Sequence, residues 1–165
     1  MPLPHNALVL VADGRKMLFL RNHGDENQID LRTESHDERD DRKDRYYRTD
    51  AAGSSPRSAA TSTNAQGGVH LGRPAMEETD FHQQEEDRWV KEAADELKKR
   101  VLRHDFEALA IVAPPKALGV LKKGLHKEVV KRIVCIVDKE MTGRPIPDIE
   151  ALLNGHTAPE ELPAV

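Results

Sequence analysis

From Arg32 to Gly68 the chain contains no Val, Ile, Leu, Met, Phe or Trp, and Tyr46 and Tyr47 are its only large nonpolar side chains there. No core can form in such a stretch, because the apolar surface it could bury does not offset the entropy lost on ordering it. The apolar residues on either side must therefore close on one another around an insertion. Glu34 to Arg48 (ESHDERDDRKDRYYR) mixes both signs of charge, and Ala51 to Gly68 is built mainly from Ala, Ser, Thr and Gly. Both read as flexible coil, and an insert spanning residues 34–78 is expected to project from the fold.

Ahead of the insert, Ala7 to Asp13 (ALVLVAD) and Lys16 to Asn22 (KMLFLRN) are apolar runs joined through ADGR. This spacing predicts a β-hairpin, with Gly14 able to take the positive φ such a turn favours. Gln28 to Thr33 (QIDLRT) alternates apolar and polar residues, as an edge strand does, and completes a three-stranded meander. After the insert, Asp80 followed three positions later by Gln83 fits a capping box for a helix over Phe81 to Arg103. Trp89, Ala93, Leu97 and Val101 give that helix an apolar stripe.

Phe106 to Ala113 (FEALAIVA) is nearly continuous in apolar character and predicts a strand covered on both faces. Leu118, Leu121, Leu125 and Val129 recur at helical spacing, predicting a second helix from Lys116 to Arg132. Ile133 to Val137 (IVCIV) reads as a last buried strand, Asp148 to Leu153 as a short helix, and residues 156–165 as a disordered tail. Right-handed crossovers from the meander into the later strands give an α/β fold. Its mixed five-stranded sheet has the order 3-2-1-4-5 of the RNase-H-like plan, in a single domain over residues 1–165.

A formal net charge of −4 argues against nucleic-acid affinity through bulk charge, but it leaves room for a local basic face. The one cysteine, Cys135, lies inside IVCIV and reads as a buried hydrophobe, not as half of a disulfide or a zinc ligand. The opening MPLPHNALVLVADGRK lacks the basic region of a signal peptide, and no stretch approaches the length of a membrane span. The expectation is a cytoplasmic protein without membrane insertion.

An RNase-H-like plan raises the question of a two-metal nuclease, which needs several carboxylates converging on paired Mg²⁺ ions. Asp13 and Asp138 stand at strand ends, but FEALAIVAPP offers only Glu107, near its start. Asp13 reads better as a turn former. The histidines show no H-x-x-x-H spacing, and neither a Walker loop nor a dinucleotide Gly fingerprint occurs. No metal and no cofactor are expected.

Two features remain. Lys116, Lys122, Lys123, Lys127, Lys131 and Arg132 load one segment with positive charge, and Glu128 is its only acid. A solvated helix face would account for them, but one-sided charge favours contact with RNA phosphates. Gln66-Gly67-Gly68 reads either as linker or as a loop that exposes backbone. In the second reading the glycines permit close approach, and the carboxamide could position a water.

The segments VADGRKMLFLRN, FEALAIVAPPKALGVLKKGL and VDKEMTGRPIPDIEALL resemble the bacterial host-attachment protein family, whose members are described as required for attachment to host cells. That family is in turn similar to the middle domain of archaeal and eukaryotic class-1 peptide release factors. The resemblance implies an RNase-H-like fold without nuclease acids and a ribosome or RNA partner, in translation termination or ribosome rescue. In release factors a loop before the long helix carries Gly-Gly-Gln and assists peptidyl-tRNA hydrolysis. Here the insert occupies that place and carries Gln66, Gly67 and Gly68, in reversed order. The alternative implied by the family label is a non-catalytic interaction protein acting in host attachment.

Overall fold

Strand formation begins with Leu8–Ala12 (β1), whose five residues are all buried. Leu8, Leu10 and Ala12 face one side of the sheet and Val9 and Val11 the other, as the two-residue period of a strand requires. Burying each of these leucines and valines contributes about 2 kcal/mol, so β1 is the axis on which the rest assembles. The computed structural model describes residues 3–38 and 74–155. Around β1 lie Lys16–Asn22 (β2), Leu31–Glu38 (β3), Leu109–Val112 (β4) and Ile133–Val137 (β5). The sheet order is β3-β2-β1-β4-β5. The β1–β2 and β2–β3 pairs are antiparallel and the β1–β4 and β4–β5 pairs parallel. The α/β class and strand order therefore agree with the sequence reading.

Helices cover both faces. Pro74–Leu102 (α1), Pro115–Gly124 (α2) and the short Lys127–Val130 (α3) lie on one side. There Val90, Ala93, Ala94, Leu97, Val101, Leu121 and Val129 meet Leu8, Leu10, Phe19 and Ile111. Ile146–Gly155 (α4) lies on the other side, where Ile149 and Leu153 meet Val9, Val11 and Val112. Cys135 is buried in this second layer, as expected, and burial pushes its thiol up from the ordinary value.

Several expected boundaries move. The third strand runs on to Glu38, not to Thr33, and α1 begins at Pro74, not at Phe81. The insert expected at 34–78 therefore narrows at both ends, and residues 39–73 lie outside the described residues, as does the expected tail at 156–165. β3 extends because its charged side chains find partners off the strand, as set out below. Its pairing partner shifts between Phe19 and Leu20, so that Phe19 faces Ser35 and Leu20 faces Thr33. Glu34 is thus the extra residue of a β-bulge, which re-aims a side chain. The capping box at Asp80 does not mark the start of α1. Gln83 lies inside the helix, and its Nε2 donates to Asp87 Oδ1 at 2.8 Å.

The helix expected over Lys116 to Arg132 is two helices. Leu125 and His126 are both extended, with ψ of 132° and 143°. Leu125 still packs against the core layer, so it keeps the apolar period while the backbone turns. His126 caps α3 by accepting from the Glu128 backbone N–H.

Candidate functional site

The parallel strands β1, β4 and β5 end together, with Val11 opposite Val112 and Val112 opposite Val137. Glu38, the last residue of β3, pairs with Lys16 at the same edge of the sheet. Strand β3 therefore ends at this carboxyl edge. Farther along the chain, the side chain of Glu86 in α1 packs over the β1–β2 turn. A Cβ built on Gly14 would stand 2.7 Å from Glu86 Cγ, so any larger residue there would push the Glu86 side chain aside. Gly14 does not take the positive φ expected of it. The turn is instead closed by Asp13, whose Oδ1 accepts from the backbone N–H of Arg15 at 2.6 Å and of Lys16 at 2.7 Å. Its Oδ2 accepts from the Thr142 hydroxyl, which ties in the loop after β5. Asp13 is the turn former the sequence suggested. Three of the protein's own donors already bond its carboxylate.

Beside this turn is a cleft of about 270 Å³ lined by Asp13, Arg15, Gln83, Glu86, Lys116 and Glu140 among others. Lys116 Nζ lies 3.6 Å from Glu86 Oε2. The cleft carries charge of both signs, and its best-placed cation already faces a carboxylate.

The six basic residues singled out from sequence do not form one row. Lys116 is at the carboxyl edge, at the start of α2, and Lys122 and Lys123 are at its far end. Six or seven residues at 1.5 Å each put them roughly 10 Å apart along the helix. Lys131 Nζ donates to Glu128 Oε1 at 2.8 Å, and this contact holds the Glu128 carboxyl below its ordinary value. Arg132 is partly buried and donates to the Phe106 carbonyl at 2.6 Å, fastening the loop before β4. Lys122, Lys123 and Lys127 are exposed, and Lys122 and Lys123 have no polar partner among the described residues. Gln66, Gly67 and Gly68 lie outside the described residues.

Sequence reasoning passed over a charged network at the other flank of α1. Arg21 is only 5% exposed. Its Nε and Nη2 donate to the two Glu34 oxygens at 2.7 and 3.1 Å, and Nη2 also donates to Asp105 Oδ2 at 2.9 Å. Nη1 donates to the Asn6 and Asp105 carbonyls. Arg100 donates to Glu34 Oε2 at 2.8 Å and to Glu96 Oε1 at 3.1 Å, with its guanidinium 4.5 Å from the centre of the Phe19 ring. Burial pushes the Glu34 carboxyl up, but Arg21 and Arg100 together outweigh it and hold the group below its ordinary value. For Arg21 burial works downward, and the two carboxylates outweigh it to raise its pKa. The only sequence signal for this network was an arginine in an otherwise apolar strand.

The profile of bacterial archaeo-eukaryotic release factor family 12 matches residues 6–153, from just before β1 into the last turns of α4. The chain belongs to this family. No curated protein sequence matches the chain. Membership bears out the resemblance to release factors, and the match takes in every strand of the sheet. No helix among the described residues is long and apolar enough to cross a membrane.

Proposed function

We propose that this member of the release-factor family binds the ribosome or another structured RNA in the cytoplasm, in termination or rescue of translation. In this reading the chain acts as a single domain. The segment between β3 and α1 presents Gln66, Gly67 and Gly68 to the partner, while Lys122, Lys123 and Lys127 contact phosphates. The family match over residues 6–153 is the observation that carries the proposal. It is supported by the segment's place in the chain, which follows β3 at the carboxyl edge and precedes the long helix α1. Any catalysis would be hydrolysis of peptidyl-tRNA, with the Gln66 carboxamide orienting water.

Co-sedimentation with ribosomes at low and at high salt tests the binding. Association at low salt that weakens as salt rises is expected, and no association at low salt removes the proposal. Peptidyl-tRNA hydrolysis by the wild type and by Gln66→Ala then tests the loop. Equal rates clear the glutamine of a role. The other reading, an interaction protein in host attachment, predicts instead that cell fractionation finds the protein outside the cell.

A further inference from the structure

The two halves of β3 are held by different forces. Before the bulge, Leu31 is buried in the same layer as Ile149 and Leu153, and its backbone N–H donates to Glu150 Oε1 of α4 at 2.7 Å. From the bulge onward, none of residues 34–38 is buried. Pairing with β2 continues from Ser35 opposite Phe19 to Glu38 opposite Lys16, at the outer edge of the sheet. What fastens this half to the body is polar. Arg100 donates to Glu34 Oε2 at 2.8 Å and to Ser35 Oγ at 3.2 Å, and Arg21 meets both Glu34 oxygens. Farther along, the attachments thin out. Lys16 Nζ lies 3.0 Å from Glu38 Oε1, with both side chains well exposed, and water screens such a pair. His36 comes within 3.9 Å of Glu38, which belongs to its own strand. Asp37 lines a groove with Glu92, Asp95 and Glu96 of α1, which repel it. The cations in that groove are Lys99 and Arg100, and both already face Glu96.

We infer that residues 34–38 are a detachable end of β3, latched by Arg100 through Glu34 and Ser35, which opens as a unit while the other four strands stay folded. Segments that open below the cost of global unfolding have few buried contacts and backbone bonds that water can replace. Residues 34–38 meet both conditions, whereas β1, β4 and the inner half of β3 are tied down by burial. Opening takes no side chain of residues 34–38 out of a core, so its cost is set by the ladder with β2 and by the arginine contacts. The bulge marks where opening stops, because the regular ladder is already interrupted there. In the function proposed above, β3 leads on to the chain that carries Gln66, Gly67 and Gly68. Opening adds five residues to that connection, roughly 15 Å when extended, and so lengthens the reach of the segment toward a partner. That use rests on the proposed function, but the opening itself does not.

The test is amide hydrogen exchange of the full chain, read residue by residue at several low urea concentrations. Those amides of residues 34–38 that face β2 should exchange faster than those of β1 and β4, and their rates should depend only weakly on urea, since little surface is exposed. Ile111→Val, in the core of β4, should speed exchange in β1 and β4 about fivefold and leave residues 34–38 unchanged. Arg100→Gln should speed residues 34–38 about tenfold, and Ser35→Ala, a milder change, by a smaller factor. A urea dependence of residues 34–38 as steep as that of β1, or equal acceleration there by Ile111→Val, shows that they open only with the whole fold and overturns the inference. Wild-type rates at residues 34–38 in both Arg100→Gln and Ser35→Ala overturn the latch. The measurement uses no ribosome or RNA, so its outcome is separate from that of the co-sedimentation above.

Discussion

The two flanks of α1 are both rich in charge, yet the charges do opposite things. Toward β2 and β3, Arg21, Glu34, Arg100, Asp105 and Glu96 face one another, and nearly every donor finds an acceptor. Toward α2 and α3, Lys122, Lys123 and Lys127 are exposed, and Lys122 and Lys123 have no polar partner among the described residues. The first arrangement joins the edge strand, α1 and the loop before β4 into one body. The second contributes nothing to cohesion within the chain. Charge in itself says little about role. What separates a structural cluster from a binding surface is whether its partners are already present.

That contrast can be broken by substitution. Arg21→Met should cost about 3 kcal/mol in urea unfolding, because it leaves Glu34 and Asp105 short of a buried partner. A loss under about 1 kcal/mol would put the network on a level with surface ion pairs. Glu34→Gln should cost less, about 2 kcal/mol at neutral pH, since the Glu34 side chain is 31% exposed and water screens part of the interaction.

The same variant sharpens the comparison through pH. The folded-state pKa of Glu34 lies below its ordinary value of 4.5. Its contribution is therefore complete above that value and is lost as the pH falls through the folded pKa. The wild type should lose stability from about pH 4.5 downward, and Glu34→Gln should lose less over the same window. Parallel pH profiles would show that Glu34 is not the group responsible.

On the basic flank, Lys122→Gln/Lys123→Gln should leave stability within about 0.5 kcal/mol while lowering the salt dependence of RNA binding. The smallest effect belongs to Lys131→Ala. Its pair with Glu128 is exposed and screened by water, and thermal melting should barely move.

Most of the sheet was legible in the sequence. ALVLVAD, KMLFLRN, FEALAIVA and IVCIV are apolar runs that can only be buried strands, and their order fixed the topology. The second half of β3 was not legible, because ESHDE has no apolar period. Its register depends on Glu34 meeting Arg21 and Arg100, and on Lys16 meeting Glu38 at 3.0 Å. The latter two contacts join residues far apart in the chain. The break at Leu125 was hidden for the converse reason, since Leu121, Leu125 and Val129 keep helical spacing across a backbone that is not helical. Of the six basic residues named from sequence, three have structural tasks that composition could not reveal. Arg132 bonds a carbonyl, Lys131 bonds Glu128 and Lys116 faces Glu86.

The bulge at Glu34 has one more consequence. β3 is the outermost strand of the sheet, and its rim would ordinarily invite a strand from another molecule. The extra residue interrupts the regular ladder midway, and Arg32, Glu34, His36, Asp37 and Glu38 crowd the strand with exposed polar groups. A neighbouring copy would meet a kinked, hydrated border on which no continuous ladder can propagate. The residue that secures the edge to its own helix thus also protects the chain from fibre-like self-association.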